Sequence, residues 1–264
     1  MNMISIKSLW EMEGTLEKNF KRIYESGYSG VECPLPHKEH ESLFKELLQQ
    51  YGFHYIAQIF ADDLPTFENE MFKATSYHPL LINSQSAKDD MNELEQLAFF
   101  KGALQIETDI EIPVAHETHR GRAMYSPWTT ERLLKEFDHL KITADFSHWV
   151  CVCESLLENQ SDRLDLAISR TIHIHTRAGH RQGPQIGDPR STIYQEELTT
   201  HLNWWKKIYQ HHAKRNTDLL TFTPEYGPPG YMQTDPMTGQ PVSDLWDICL
   251  WAKKHVYDHI TGSN

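Results

Sequence analysis

The stretch 171–190, TIHIHTRAGHRQGPQIGDPR, sets strand-forming residues directly against residues that can bind ions. Thr171, Ile172 and Ile174 favour an extended chain, and alternation sends His173 and His175 to one face. After His175 the apolar pattern stops. Arg177, Gly179, His180, Arg181, Gln182, Gly183 and Pro184 read as an irregular loop rich in donors and positive charge. Three other segments end the same way: HETHRGR with Glu117, ADFSHW with Asp145 and His148, and TPEYGPP with Glu225. Two glutamates, one aspartate and one histidine make an oxygen-rich shell with a single nitrogen. Such a shell suits one divalent ion, Mn2+ or Mg2+ first, with Co2+ or Zn2+ as substitutes, and suits thiophilic metals poorly. Each residue also has an ordinary reading. Glu117 has Arg120 and Arg122 as salt-bridge partners, Asp145 can cap a helix, His148 can sit in the core above Trp149, and Glu225 can serve a turn. Four consecutive strand ends of this kind are what argue for a shared site.

The elements that must position them alternate regularly. Strands are expected over 3–10, 29–34, 53–60, 80–84, 112–117, 141–147, around His173, and over 219–225. Helices are expected over 16–26, 39–51, 65–77, 91–104, 129–137, 163–169, 194–211 and 242–259. The first has Leu16, Phe20, Ile23 and Tyr24 on one stripe and Gly27 as its stop. An unbroken strand–helix alternation calls for a parallel sheet, and closure as an α/β (β/α)8 TIM barrel is the economical solution. An open doubly wound sheet lacks its GxGxxG fingerprint here. In a barrel all strand C-termini meet at one mouth, so ligands roughly 30 to 50 positions apart in sequence can reach one ion.

The chain has 264 residues, near the roughly 250 of a single barrel, and one domain over 1–264 is expected. Apolar residues at 39% and charged residues at 23% are enough for a full soluble core. No apolar run approaches the ~20 residues of a membrane span, the first ten residues lack a secretory pattern, and a cytoplasmic protein is expected. Cys33, Cys151, Cys153 and Cys249 form no CxxC pair and read as buried free thiols, with Cys151 and Cys153 on one face of a strand. A net charge of −12 argues against a nucleic-acid partner. The expected partner is a small molecule; a homodimer is compatible with such a barrel, whose oligomeric state is not written in the residues.

HETHRGR, DFSHW, HIHTRAGH and TPEYGPP, with GYSGVECP in the second strand, resemble the sugar phosphate isomerase/epimerase family with the xylose-isomerase-like TIM barrel. That family includes ketose epimerases and isomerases and dehydratases of inosose and 3-dehydroshikimate. The resemblance implies that Glu117, Asp145, His175 and Glu225 bind the metal, that His148 and Arg181 contact substrate oxygens, and that His173 is a structural neighbour. The loop carries more Arg and His than a neutral-ketose site needs, so an anionic substrate held by Arg177 or Arg181 is expected. Trp10, Tyr226 and Tyr231 are candidates for aromatic walls, and the 224–241 loop for a cover.

The chemistry so implied is enolisation of a sugar, sugar phosphate or related α-hydroxy-carbonyl compound. A metal-stabilised cis-enediolate would form with Glu117 and Glu225 as acid and base. Proton return to the same carbon gives an epimer, and return to the neighbouring carbon gives an isomer. Expulsion of a β-hydroxyl instead makes the protein a dehydratase of a cyclic keto acid or inosose. An apurinic-site endonuclease uses a similar barrel but needs more histidines on the early strands, where this chain has Glu32 and Gln58.

Overall fold

In a computed structural model, which describes residues 1–10 and 12–262, strand and helix alternate, except that two helices stand between the sixth and seventh strands. The first half comprises β1 (Asn2–Ser8), α1 (Leu16–Glu25), β2 (Gly30–Pro34), α2 (Glu41–Tyr51), β3 (His54–Ala61), α3 (Leu64–Thr75), β4 (Leu81–Ser86) and α4 (Glu93–Glu107). The second comprises β5 (Val114–Glu117), α5 (Pro127–Glu136), β6 (Ile142–Ala144), α6 (Phe146–Cys153) and α7 (Ser161–Arg170). It continues through β7 (Thr171–His175), α8 (Gln195–Lys214), β8 (Leu219–Thr223) and α9 (Leu245–Thr261). Every strand runs parallel to its neighbour, and β1 pairs with β8 to close the barrel.

Alternation gives the barrel two kinds of interior. Towards the strand N-termini, Ile6, Ile56, Leu81 and Ala115 pack together as a dry plug. Two residues further along the same strands, Ser8, Gln58, Asn83 and Glu117 continue the same face, so the upper interior is polar while still buried. Outside the strands, Phe20, Phe44, Phe67, Trp149, Leu202 and Val256 join the core under the helices. Each side chain of that size contributes roughly 1.5–3 kcal/mol by leaving water.

Helix starts are set locally. Asp63 caps α3, Asn92 and Glu95 form a reciprocal capping box on α4, and Asp244 caps α9. Gly52 ends α2 at a φ of 62°, where a side chain would be strained.

One element differs from expectation. The strand expected over 141–147 stops at Ala144, and Phe146–Cys153 is helical. Asp145 is the reason: its Oδ1 accepts the Ser147 N–H at 3.2 Å and also the Ser147 hydroxyl, which starts a helix. Cys151 and Cys153 therefore lie on a helix, not on one face of a strand. All four cysteines are free thiols. Among the described residues no helix is long and apolar enough to cross a membrane.

Candidate metal centre

Glu117 closes β5, Asp145 stands between β6 and α6, His175 closes β7, and Glu225 lies just beyond β8. Each offers one ligand atom, and those atoms all lie within 4.8 Å of one another. All four residues are buried. His175 Nδ1 is 3.2 Å from Glu225 Oε2, 3.7 Å from Glu117 Oε1 and 3.8 Å from Asp145 Oδ2, yet it makes no hydrogen bond.

The far side of the same ring explains that orientation. His175 Nε2 lies 2.9 Å from Glu32 Oε1, and a carboxylate can only accept, so Nε2 carries hydrogen and Nδ1 is the nitrogen turned to the cluster, where a bound cation would take the place of its proton. Glu32 also accepts from Thr223 Oγ1 at 2.5 Å and lies 3.2 Å from His173 Nε2. Burial works to raise its proton affinity, but His175 and His173 hold the carboxyl well below the ordinary range. His173 is itself tied to Thr221 through Nδ1.

Three carboxylates and a lone pair repel one another unless positive charge lies among them. Burial pushes the Glu117 carboxyl up to about 8, with Glu225 and Asp145 adding to the rise. Burial opposes a proton on His175, but Glu225, Glu32 and Glu117 raise the ring well above its ordinary value. Protons thus do what a cation would do. The unpartnered Nδ1 and the three oxygens fit a divalent ion of hard or borderline character.

Side-chain amides brace the carboxylates, two of them, Asn83 and Gln85, not singled out from the sequence. Asn83 Nδ2 donates to Glu117 Oε2 at 3.0 Å and to Glu32 Oε1 at 3.1 Å, and Gln85 Nε2 lies 3.3 Å from Glu117 Oε2. Gln58 Nε2 donates to Glu225 Oε1 at 3.3 Å. The signal was present as the alternation Leu81, Asn83, Gln85, which places two amides inward above an apolar residue.

The arginines part company. Arg177 is buried, with Nη2 2.5 Å from Asp145 Oδ2 and 2.8 Å from His148 Nε2, Nε 3.3 Å from Ser147 Oγ, and Nη1 3.5 Å from Glu225 Oε2. His148 accepts there, its proton affinity lowered by burial first and by the neighbouring His119 ring and Arg177 after that. Arg181, expected on substrate oxygens, is not brought to the cluster. It is 38% exposed and pairs with Glu158 and Glu196, because the loop has already turned outward. Arg122 pairs with Asp62 and Arg190 with Asp188, so the apparent gathering of positive charge in the sequence is dispersed by carboxylate partners.

A cavity of about 410 Å³ opens beside the cluster, where Glu225, Arg177, His119, Gln58 and Gln85 face Leu9, Trp10, Cys33, Pro34, Phe60 and Tyr231. Trp10 and Tyr231 thus stand on its wall. Tyr226 does not; it is buried with Ile186 and Met232 beneath the loop, its hydroxyl 3.5 Å from the Ala178 N–H.

Solved structures share this architecture. A probable 3-DHS dehydratase, AsbF, involved in petrobactin synthesis in Bacillus anthracis, is 17% identical with all of both chains covered and a TM-score of 0.59. A xylose isomerase domain protein from Alicyclobacillus acidocaldarius is 12% identical over 98% of this chain and 99% of that one, also at 0.59. The fold is that of the xylose-isomerase-like barrels. A family 2 AP endonuclease from Brucella melitensis, 12% identical over 86% of this chain and 94% of its own, has the same barrel at a TM-score of 0.55. No protein-family model matches the chain, and no curated protein matches it by sequence. Within the xylose-isomerase-like frame, strand ends β5 to β8 carry the cluster.

Proposed function

We propose that this protein is a divalent-metal-dependent isomerase or epimerase of an α-hydroxy-carbonyl compound, with Mn2+ or Mg2+ as the first candidates for its ion. The observation that carries the reading is His175 Nδ1, aimed by Glu32 into three buried carboxylates. Glu117, Asp145, His175 and Glu225 would hold the ion. When bound, it supplies the positive charge that an enolate oxygen needs and lowers the barrier to losing a neighbouring C–H proton.

The chain's own residues supply the rest. Glu225 lines the cavity, with Oε1 steadied by Gln58, and is the carboxylate within reach of a substrate carbon. Glu117, braced by Asn83 and Gln85, is the second acid–base group. Arg177 and His148 form a donor pair whose orientation is set through Asp145, and they stand in for Arg181 in polarising substrate oxygens. Leu9, Trp10 and Phe60 form an apolar side of the cavity. Four free thiols agree with work in the cytoplasm.

A dehydratase is the second reading, favoured by the likeness in fold to the probable 3-DHS dehydratase. Incubating Mn2+-loaded protein with α-hydroxy ketones in deuterated water separates the two. Deuterium uptake without loss of water supports the isomerase; loss of water supports the dehydratase; neither, with metal bound, refutes both. Cleavage of an abasic DNA strand is disfavoured by the charge of −12 and by surface arginines already paired to carboxylates.

A further inference from the structure

We infer that α9 carries a separate metal site, away from the mouth of the barrel, in which His255 and His259 chelate one transition ion, Cu2+ first and Ni2+ or Zn2+ after it. The two histidines stand four positions apart in HVYDH, within the helix Leu245–Thr261, so they share one face a turn apart. Val256 and Ile260, each one position further on, are buried and fix which face that is. The rings are already neighbours, with centroids 6.5 Å apart and planes 29° from parallel. Two imidazoles at this spacing are how a helix offers two nitrogens to one ion. Lys254, Tyr257 and Asp258, in the same turns, line a groove with Met3 and Ile4 at the start of β1, which is the end of the barrel opposite the carboxylate cluster.

The nitrogens are available to a metal. Among the described residues neither ring has a hydrogen-bond or ion-pair partner; Trp251, one turn earlier, instead stacks on His255 at 4.3 Å and 14°. Both rings are half-buried. Burial lowers the proton affinity of each, helped at His255 by the His259 ring and at His259 by Lys206, so both are neutral near pH 7. Asp258 pulls the other way on His255, but its carboxylate is held by Lys254 at 2.5 Å. Bonds from nitrogen to such an ion are about 2.0–2.1 Å, so the two rings must tilt towards each other, and no hydrogen bond opposes that turn.

The donor set selects the ion. Two neutral imidazoles with water in the remaining positions favour Cu2+, then Ni2+ and Zn2+, and give little to Mn2+ or Mg2+. The oxygen-rich cluster at the mouth takes the harder ions. The chain thus holds two sites of different character, and its total metal content depends on which ion is offered. Only a helical chain keeps the two nitrogens together, so an ion bound here ties the last turns of α9 to one another.

The test is Cu2+ alone, titrated by calorimetry into the full chain kept in excess Mn2+, with tryptophan emission followed in parallel. The parent should take up one Cu2+ that His255→Gln and His259→Gln each bind about 100-fold more weakly, since one imidazole loses the help of the other. Glutamine keeps the helix, and unchanged far-UV spectra check it. His259→Gln combined with Tyr257→His preserves the number of histidines but moves one to another face, and it should lose the site as well. Paramagnetic Cu2+ should quench the stacked indole, and Trp251→Phe should remove that quenching while the calorimetric event stays. Cu2+ uptake equal in the parent and the single variants, a site kept by the displaced pair, or quenching that survives Trp251→Phe overturns the inference. Glu225→Gln touches only the mouth and should leave this site whole, so failure here and failure of the ligand set at the mouth are told apart.

Discussion

His175 Nε2 and Glu32 Oε1 lie 2.9 Å apart inside the barrel, and that single contact decides which nitrogen of the ring meets Glu117, Asp145 and Glu225. Glu32 belongs to β2 and the ring to β7, so the orientation of the ligand is set from across the barrel. Glu32→Gln keeps the shape and removes the charge. Mn2+ affinity should fall by about 10- to 100-fold, read by competition with a chelator, with the far-UV spectrum unchanged.

Mn2+ should also report on the fold. Added at a hundredfold excess over its Kd it stabilises the native state by about 2.7 kcal/mol, seen as a rise in Tm that a chelator reverses. Glu225→Gln should remove that rise and the turnover together, and Glu117→Gln should do the same, while both variants stay folded without metal. A full metal-dependent rise in Glu225→Gln would mean that the ligand set is wrong.

His173 is buried between Thr221 and Glu32 and offers no atom to the four-residue cluster. His173→Ala should therefore act chiefly on stability, by about 2–4 kcal/mol in urea unfolding, through the buried partners it strands.

The two loop arginines should behave oppositely. Arg177→Met leaves Asp145 and His148 without their shared donor and should abolish turnover. Arg181→Ala removes only exposed pairs and should leave turnover within about twofold.

His201 on α8 links its helix to the loop beyond β7, with Nδ1 2.8 Å from Glu197 O and Nε2 accepting the Gly179 N–H. Burial pushes its proton affinity down to about 4 from the ordinary 6.5. The unfolded chain takes up that proton first, so this stabilisation is complete above pH 6.5 and is lost as pH falls from there towards 4, by up to about 3 kcal/mol. Urea midpoints at pH 7 and pH 5 should therefore differ less for His201→Gln than for the parent.

Much of this architecture is legible without coordinates, because hydrophobic period and turn residues act locally. Strand and helix alternation, the common face of His173 and His175, and the four ligand-type residues at successive strand ends all follow from near neighbours in the chain. The segment after Ala144 misleads, since the strand expected over 141–147 runs past that residue while a cap on Asp145 starts a helix.

Partnership across the barrel is another matter, because it depends on register and closure. The sequence determined that Glu117, Asp145, His175 and Glu225 end consecutive units, and so that one mouth could gather them. Only the tertiary structure decided that Glu32 orients His175, that Asn83 and Gln85 brace Glu117, and that Arg177 turns inward while Arg181 turns out. These contacts join residues far apart in the chain, and their geometry exists only once eight strands share one axis.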